Sequence, residues 1–170
     1  MGDRFEIGLA LTIGQWGNAR TTVRWTELRE MAVRAEAVGF DTVWVPDELL
    51  YLPKSAPPQG HWECAAMLGA IAASTSRIKV GSWVLSAVNR NPGITAKIAE
   101  TLDEICGGRF VFGLGAGHGG AGQAAFGLPQ EQIFSRFEEA LQIILPLIRE
   151  GRADVHGAFH VANELVQLPR

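Results

Sequence analysis

Two adjacent carboxylates, Asp47 and Glu48, directly follow the apolar run from Val43 to Pro46. One carboxylate at such a position can accept hydrogen bonds from a ligand while the other exchanges a proton with it. The plainer assignment ties Asp47 to loop backbone and leaves Glu48 solvated. Further along, the segment from Leu114 to Gln123 reads LGAGHGGAGQ, with Gly115, Gly117 and Gly120 spaced as GxGxxG. Glycines suit a place where backbone approaches a flat or anionic ligand, and they suit tight turns equally. His118 sits inside that run, and an imidazole titrates near neutral pH, as a general acid or base requires.

A dinucleotide-binding fingerprint also needs a helix opening inside the motif. Gly127 and Pro129 argue instead for a long loop reaching to about Ile133. His156 and His160 form HxxxH, but Gly157 between them breaks helical geometry and no third ligand is adjacent, so no metal site is expected. Cys64 and Cys106, each in an apolar helical context and not spaced as a metal knuckle, read as buried free thiols.

The elements that carry these residues alternate. Residues 5–13, 41–45, 78–85 and 109–114 are short and apolar on both sides, as parallel strands covered on both faces are. Between them, Leu28, Met31, Ala32, Ala35 and Val38, and then Ile94, Ile98, Leu102 and Ile105, recur at helical steps. A second helix runs from about Trp62 to Ser74 and a fourth from about Ile133 to Glu150, the latter with a kink expected at Pro146. After Gly151 the pattern changes to a hairpin with a His-Gly turn and an extended tail.

Strand starts at residues 5, 41, 78 and 109 lie 36, 37 and 31 residues apart. That is close to the ~31 residues of one unit in an eight-unit barrel. Strict alternation demands a parallel sheet with right-handed crossovers, and the spacing leaves both a barrel and an open doubly wound sheet available. In either, ligands bind where strands end and the following loops begin. Those loops hold Thr12, Gln15 and Trp16; Asp47 and Glu48; Ser86, Asn89, Arg90 and Asn91; and Ala116, Gly117 and His118.

The totals exclude several classes. With 47% hydrophobic and 19% charged residues the chain is globular, and a net charge of −3 with scattered Lys and Arg gives no stripe for nucleic acid. The longest apolar stretch, Cys64 to Ala73, is far short of the ~20 residues of a membrane span, and the start MGDRFE is no signal peptide. The expectation is a cytoplasmic protein with neither nucleic-acid nor membrane partners.

Three longer motifs in consistent order carry a resemblance. AEAVGFDTVWVPDELL, then TSRIKVGSWVLSAVNRNPGITAKIAETLDEICGGRFVFGLGAG, then FSRFEEALQIILPLIREGRADVHGAFHV resemble the luciferase-like monooxygenase superfamily, including its deazaflavin (coenzyme F-420) dependent members. The resemblance implies an α/β, TIM-type (β/α)8 barrel fold of which the first four β/α units are present. These would fill residues 1–150, with a hairpin-like extension over 151–170 and no fifth unit. It implies an oxidoreductase using FMN or the deazaflavin on a small organic substrate.

In such proteins the flat ring rests against the third strand, at a bulge with a cis peptide bond that here corresponds to Trp83–Val84. The implied cofactor-binding residues are Asp47, Trp83, Val84, Ser86, Ala116 and Gly117, and the implied catalytic residues are Glu48 and His118. The deazaflavin members often carry histidine after the aspartate, where this chain has Glu48. The family's phosphate anchor belongs to the second half of the barrel, so the resemblance implies a truncated, chemically incomplete chain. A homodimer or a complementary half-barrel chain is the implied partner. Two rival readings remain: a non-catalytic half-barrel module that pairs through its open sheet edges, and a flavodoxin-like binding domain. The latter is disfavoured because TIGQWGNARTT after the first strand lacks a phosphate cradle.

Overall fold

A computed structural model describes residues 5–15 and 21–170. In chain order the elements are β1 (Gly8–Ala10), α1 (Trp25–Val38), β2 (Thr42–Val45), β3 (Leu50–Tyr51), β4 (Gln59–Gly60) and α2 (Cys64–Ser74). There follow β5 (Lys79–Ser82), β6 (Leu85–Ser86), a 3-10 turn (Ala87–Asn89), α3 (Pro92–Cys106), β7 (Phe110–Val111) and β8 (Leu114–Gly115). The chain continues through α4 (Ala121–Ala125), α5 (Ile133–Glu150), β9 (Arg152–His156) and β10 (Val161–Val166). The fold is α/β. The chain divides into two compact units: the described residues up to Val84 with Leu102–Gly113, and Leu85–Thr101 with Leu114–Arg170.

The first unit is built on a parallel sheet of order β1-β2-β5-β7, which is sequence order. Side chains alternate across it. Val43 and Val45 of β2 and Val80 of β5 are fully buried on one face, where α2 packs on β2 and β5. Leu28 of α1 and Leu68 and Ile71 of α2 are likewise excluded from solvent. Each such side chain contributes roughly 1.5–3 kcal/mol relative to exposure. The other face carries Trp44, which is only partly covered.

Two side-chain clamps hold the helices to this sheet. The Glu36 carboxylate accepts backbone N–H bonds from Ser76, Arg77 and Ile78 at 2.9, 2.7 and 2.9 Å. It thereby fixes the turn that leads from α2 into β5. These bonds outweigh the cost of burial and hold the Glu36 pKa at about 2, below its usual 4.5. The Arg109 guanidinium donates to the carbonyls of Cys106, Ile78, Ala72 and Thr75, joining the ends of α2 and α3 to the start of β5. Cys64 and Cys106 are buried free thiols, as their contexts predict.

In the second unit β6 pairs with β8 in parallel and β9 with β10 antiparallel, with an irregularity between Ala162 and Leu165. A core of Ala96, Ile143, Leu147, Ala153 and Ala162 joins α3 and α5 to the hairpin. The Glu139 carboxylate accepts N–H bonds from Ala158, Phe159 and His160 in the hairpin turn, and the Arg136 guanidinium lies 4.5 Å over the Phe159 ring. α5 continues through Pro146 to Glu150 without a break.

Three sequence expectations are corrected. Residues 78–85 and 109–114, read as unbroken strands, are each interrupted, giving β5 then β6 and β7 then β8. Within the first unit, Ser82 Oγ donates to the Gly113 carbonyl at 2.7 Å and Gly113 N–H returns to Ser82 Oγ at 3.0 Å. A side chain thus replaces a rung of the backbone ladder. The stretch expected to be loop up to Ile133 contains α4, where Ala-Gly-Gln-Ala-Ala closes one helical turn. Finally, of residues 5–13, read as one strand, Gly8–Ala10 alone form β1; the link between β2 and α2 adds the short antiparallel pair β3–β4.

Candidate functional site

Strand ends of the first unit gather its candidate residues. The chain leaving β1, the chain leaving β2 and the segment entering α2 are stitched together by backbone hydrogen bonds. Gln15 N–H donates to the Gly60 carbonyl at 3.0 Å, Trp62 N–H to Ile13 at 3.1 Å and His61 N–H to Leu49 at 3.2 Å. The Gln15 side chain adds its own bond, accepting the Gly60 N–H at 3.1 Å. Trp16 lies outside the described residues.

Asp47 is only 6% exposed, whereas Glu48 is partly open to solvent. Buried carboxylates need partners or a ligand to be tolerated, so the two neighbours sit in unequal surroundings. Beside them stands His61, which sequence reasoning missed. Its ring packs so closely on Gly14 that a Cβ there would collide with Cγ and Cδ2. Burial lowers its pKa from the ordinary 6.5, and the nearby Glu48 carboxylate opposes that shift. The only signal for it was a histidine placed just before a helix.

Trp83 and Val84 follow β5, and the peptide bond between them is cis, at the bond the resemblance implies. Trp83 is 63% exposed and meets Trp44 edge-on, with ring centroids 5.7 Å apart and planes at 72°. Trp44 in turn lies across the sheet between Gly8 of β1 and Gly81 of β5, so that a Cβ at either glycine would strike the indole. The unit therefore presents an aromatic wall at the end of β5. Sequence reasoning assigned Trp44 only to a strand; the glycines on the two neighbouring strands were the available clue.

The second unit brings Ser86 and Gly117 together. Gly117 has φ 84°, and a Cβ at that position would collide with Ser86 Oγ and meet Val88 Cγ2 at 2.7 Å. Ser86 is buried, and Ala116, which precedes Gly117, is half-buried. His118 is exposed, with Nδ1 3.2 Å from the Gly119 carbonyl oxygen. Asn91 is a cap: its Oδ1 accepts the N–H groups of Gly93 and Ile94 at the start of α3. His156 pairs with Asp154 at 3.4 Å, and among the described residues no group of three potential metal ligands occurs. Among the same residues no helix is long and apolar enough to cross a membrane.

Parallel strands in sequence order, with an unequal carboxylate pair and an aromatic wall at their C-terminal ends, define an α/β protein whose candidate site lies at the strand ends. The sequence profile of the luciferase-like monooxygenase family matches residues 5–170, and the chain belongs to that family. An F420-dependent glucose-6-phosphate dehydrogenase of Beutenbergia cavernae is 34% identical over 145 residues, covering 81% of this chain and 41% of that protein.

Among solved structures, an F420-dependent secondary alcohol dehydrogenase in complex with an F420–acetone adduct superimposes with a TM-score of 0.78 at 23% identity. It covers 96% of this chain and 48% of its own. The oxygenating constituent of 3,6-diketocamphane monooxygenase from Pseudomonas putida, in complex with FMN, gives 0.77 at 20% identity, with 96% and 44% coverage. These superpositions establish a shared fold. The chain spans about two-fifths of the length of the curated relatives it matches.

Proposed function

We propose that the chain forms the first four β/α units of a TIM-type barrel and supplies the ring-binding side of a flavin- or deazaflavin-dependent oxidoreductase acting on a small organic substrate. The observation that carries this reading is the Trp44–Trp83 wall. An exposed indole set edge-on against a second, which lies over Gly8 and Gly81, offers a flat apolar face at a strand end. A tricyclic isoalloxazine or deazaflavin ring needs such a surface. The relatives named above that use F420 or FMN support the choice of cofactor class.

In the first unit we assign Trp83 and Val84 to the ring face and Asp47 to a polar contact with the cofactor. In the second we assign Ser86 and the backbone of Ala116 and Gly117, the missing Cβ of Gly117 leaving room for the Ser86 hydroxyl against that backbone. When bound, the cofactor supplies hydride transfer or oxygen activation. Glu48 and His118, both reachable from solvent, are the proposed proton-transfer groups.

Fluorescence titration of the purified chain with FMN and with the deazaflavin tests the assignment, alone and with the remaining half of a related barrel added. Saturable binding of one of them, weakened at least about tenfold (1.4 kcal/mol) by W83A, is expected. Absence of binding by both cofactors in both settings would remove it.

A further inference from the structure

We propose that Ser82 is a positioning residue for Trp83: its buried hydroxyl clamps the end of β5 to Gly113 and so sets the direction in which the indole leaves the sheet. The proposal rests on the reading of Trp83 as a face for the cofactor ring. Ser82 is fully buried and is the last residue of β5, with the mostly exposed Trp83 immediately after it. Toward β2 the strand end is held by backbone, because Ser82 is the register partner of Val45 and Trp83 N–H donates to the Val45 carbonyl at 2.8 Å. Toward β7 the pairing stops earlier, at Gly81 and Val111. Beyond that point Ser82 Oγ donates to the Gly113 carbonyl at 2.7 Å and accepts the Gly113 N–H at 3.0 Å, an N–H that is shared with the Val111 carbonyl.

One hydroxyl, a donor and an acceptor at once, therefore engages both backbone groups of Gly113. Glycine at 113 lets the strand end lie this close, since a Cβ there would collide with the Ser82 carbonyl oxygen and meet Val84 Cγ1 at 3.3 Å. Ser82 and Val84 are thus both seated against Gly113, and Trp83 between them is tied to Val45. The backbone that carries the indole is held from the β7 side and from the β2 side. The indole itself is mostly in solvent and meets Trp44 by an edge, so the backbone beneath it decides where it points. Alanine at position 82 would keep most of the volume of the side chain and supply neither half of the exchange with Gly113, which makes the hydroxyl separable from packing.

The test is circular dichroism of the full chain, in which the edge-on Trp44–Trp83 pair gives an exciton couplet whose sign and size report the angle between the two indoles. W44F and W83F identify that couplet by removing it. S82A and S82C, the latter nearly isosteric but a weak donor, are expected to weaken it, and S82T, which keeps the hydroxyl, to retain it. A couplet unchanged in S82A or S82C, or lost equally in S82T, would assign the effect to packing and overturn the proposal. In the unaltered chain the Gly113 amide is expected to exchange with solvent as slowly as that of Val80, which bonds to the Arg109 carbonyl, a readout that needs no variant to fold. Exchange of Gly113 at the rate of an open turn would also overturn it. Titration of the same samples with FMN and with the deazaflavin is expected to show affinity lower by at least about tenfold in S82A and kept in S82T. It also separates the two ideas: a weakened couplet in a chain that binds neither cofactor keeps Ser82 as the clamp and removes the ring-face reading, whereas cofactor binding with an unchanged couplet does the reverse.

Discussion

The indole of Trp44 occupies the space that a side chain at Gly81 would need: a Cβ on Gly81 would fall within contact of Cζ3, Cε3 and Cη2 of that ring. The two residues are register partners on β2 and β5, so the collision is built into the sheet. Large and small residues on neighbouring strands thus make one flat surface, against which Trp83 leans.

G81A is expected to destabilise the protein by about 1–3 kcal/mol, the usual cost of overpacking a filled site. Urea unfolding measures it; an unchanged midpoint would mean that the indole moves aside freely.

W83A should behave differently. Because Trp83 is mostly exposed, its loss is expected to cost less than about 1 kcal/mol of stability while cofactor affinity falls at least about tenfold. Parallel unfolding and binding curves would separate the two effects, and a large stability loss with unchanged affinity would contradict the assignment of Trp83 to a ring face.

Glu36 links stability to acid. Its folded pKa of about 2 lies below the usual 4.5, so its contribution is complete above the higher value and is lost as pH falls toward the lower one. E36Q, which keeps the shape but not the charge, is expected to be less stable by about 1–3 kcal/mol at neutral pH. The difference from the unaltered chain should shrink between about pH 4.5 and pH 2, as read from denaturation midpoints across that window. A constant difference would refute the linkage.

G117A places a Cβ at positive φ and into Ser86 Oγ. A loss of about 1–3 kcal/mol is expected, and S86A in the same chain should recover part of it, since Val88 Cγ2 still crowds the site. Additive effects of the two substitutions would show that Ser86 is not what the new methyl meets.

How much of this could be read in advance differs by element. Helix periodicity located α1, α3 and α5 to within about three residues at each end, because an amphipathic stripe is a local property of the chain, and an Ala-rich apolar run located α2. The strand positions and the family were legible too, the latter from three ordered motifs, one around Asp47, one holding both Trp83 and Gly117, and one from Phe134 to Val161. Individual ladders were not, since whether residues 78–85 run unbroken depends on Ser82 bonding to Gly113, a partner 31 residues away. α4 was missed for a related reason: glycine and proline nearby signal a loop, while a single helical turn needs little sequence support.

Sequence alone determined that this is an α/β chain of alternating strands and helices, that carboxylates and glycines stand at strand exits, and that the chain resembles one family. These follow from residue type and near-neighbour spacing. Only the tertiary structure decided that Trp44 lies over Gly8 and Gly81, that Arg109 and Glu36 tie the ends of the helices to the sheet, and that His61 rests on Gly14 beside Glu48. Apart from the Arg109–Cys106 bond, each of those relations joins residues at least 13 positions apart, and such pairings come into being only when register and packing bring the strands side by side.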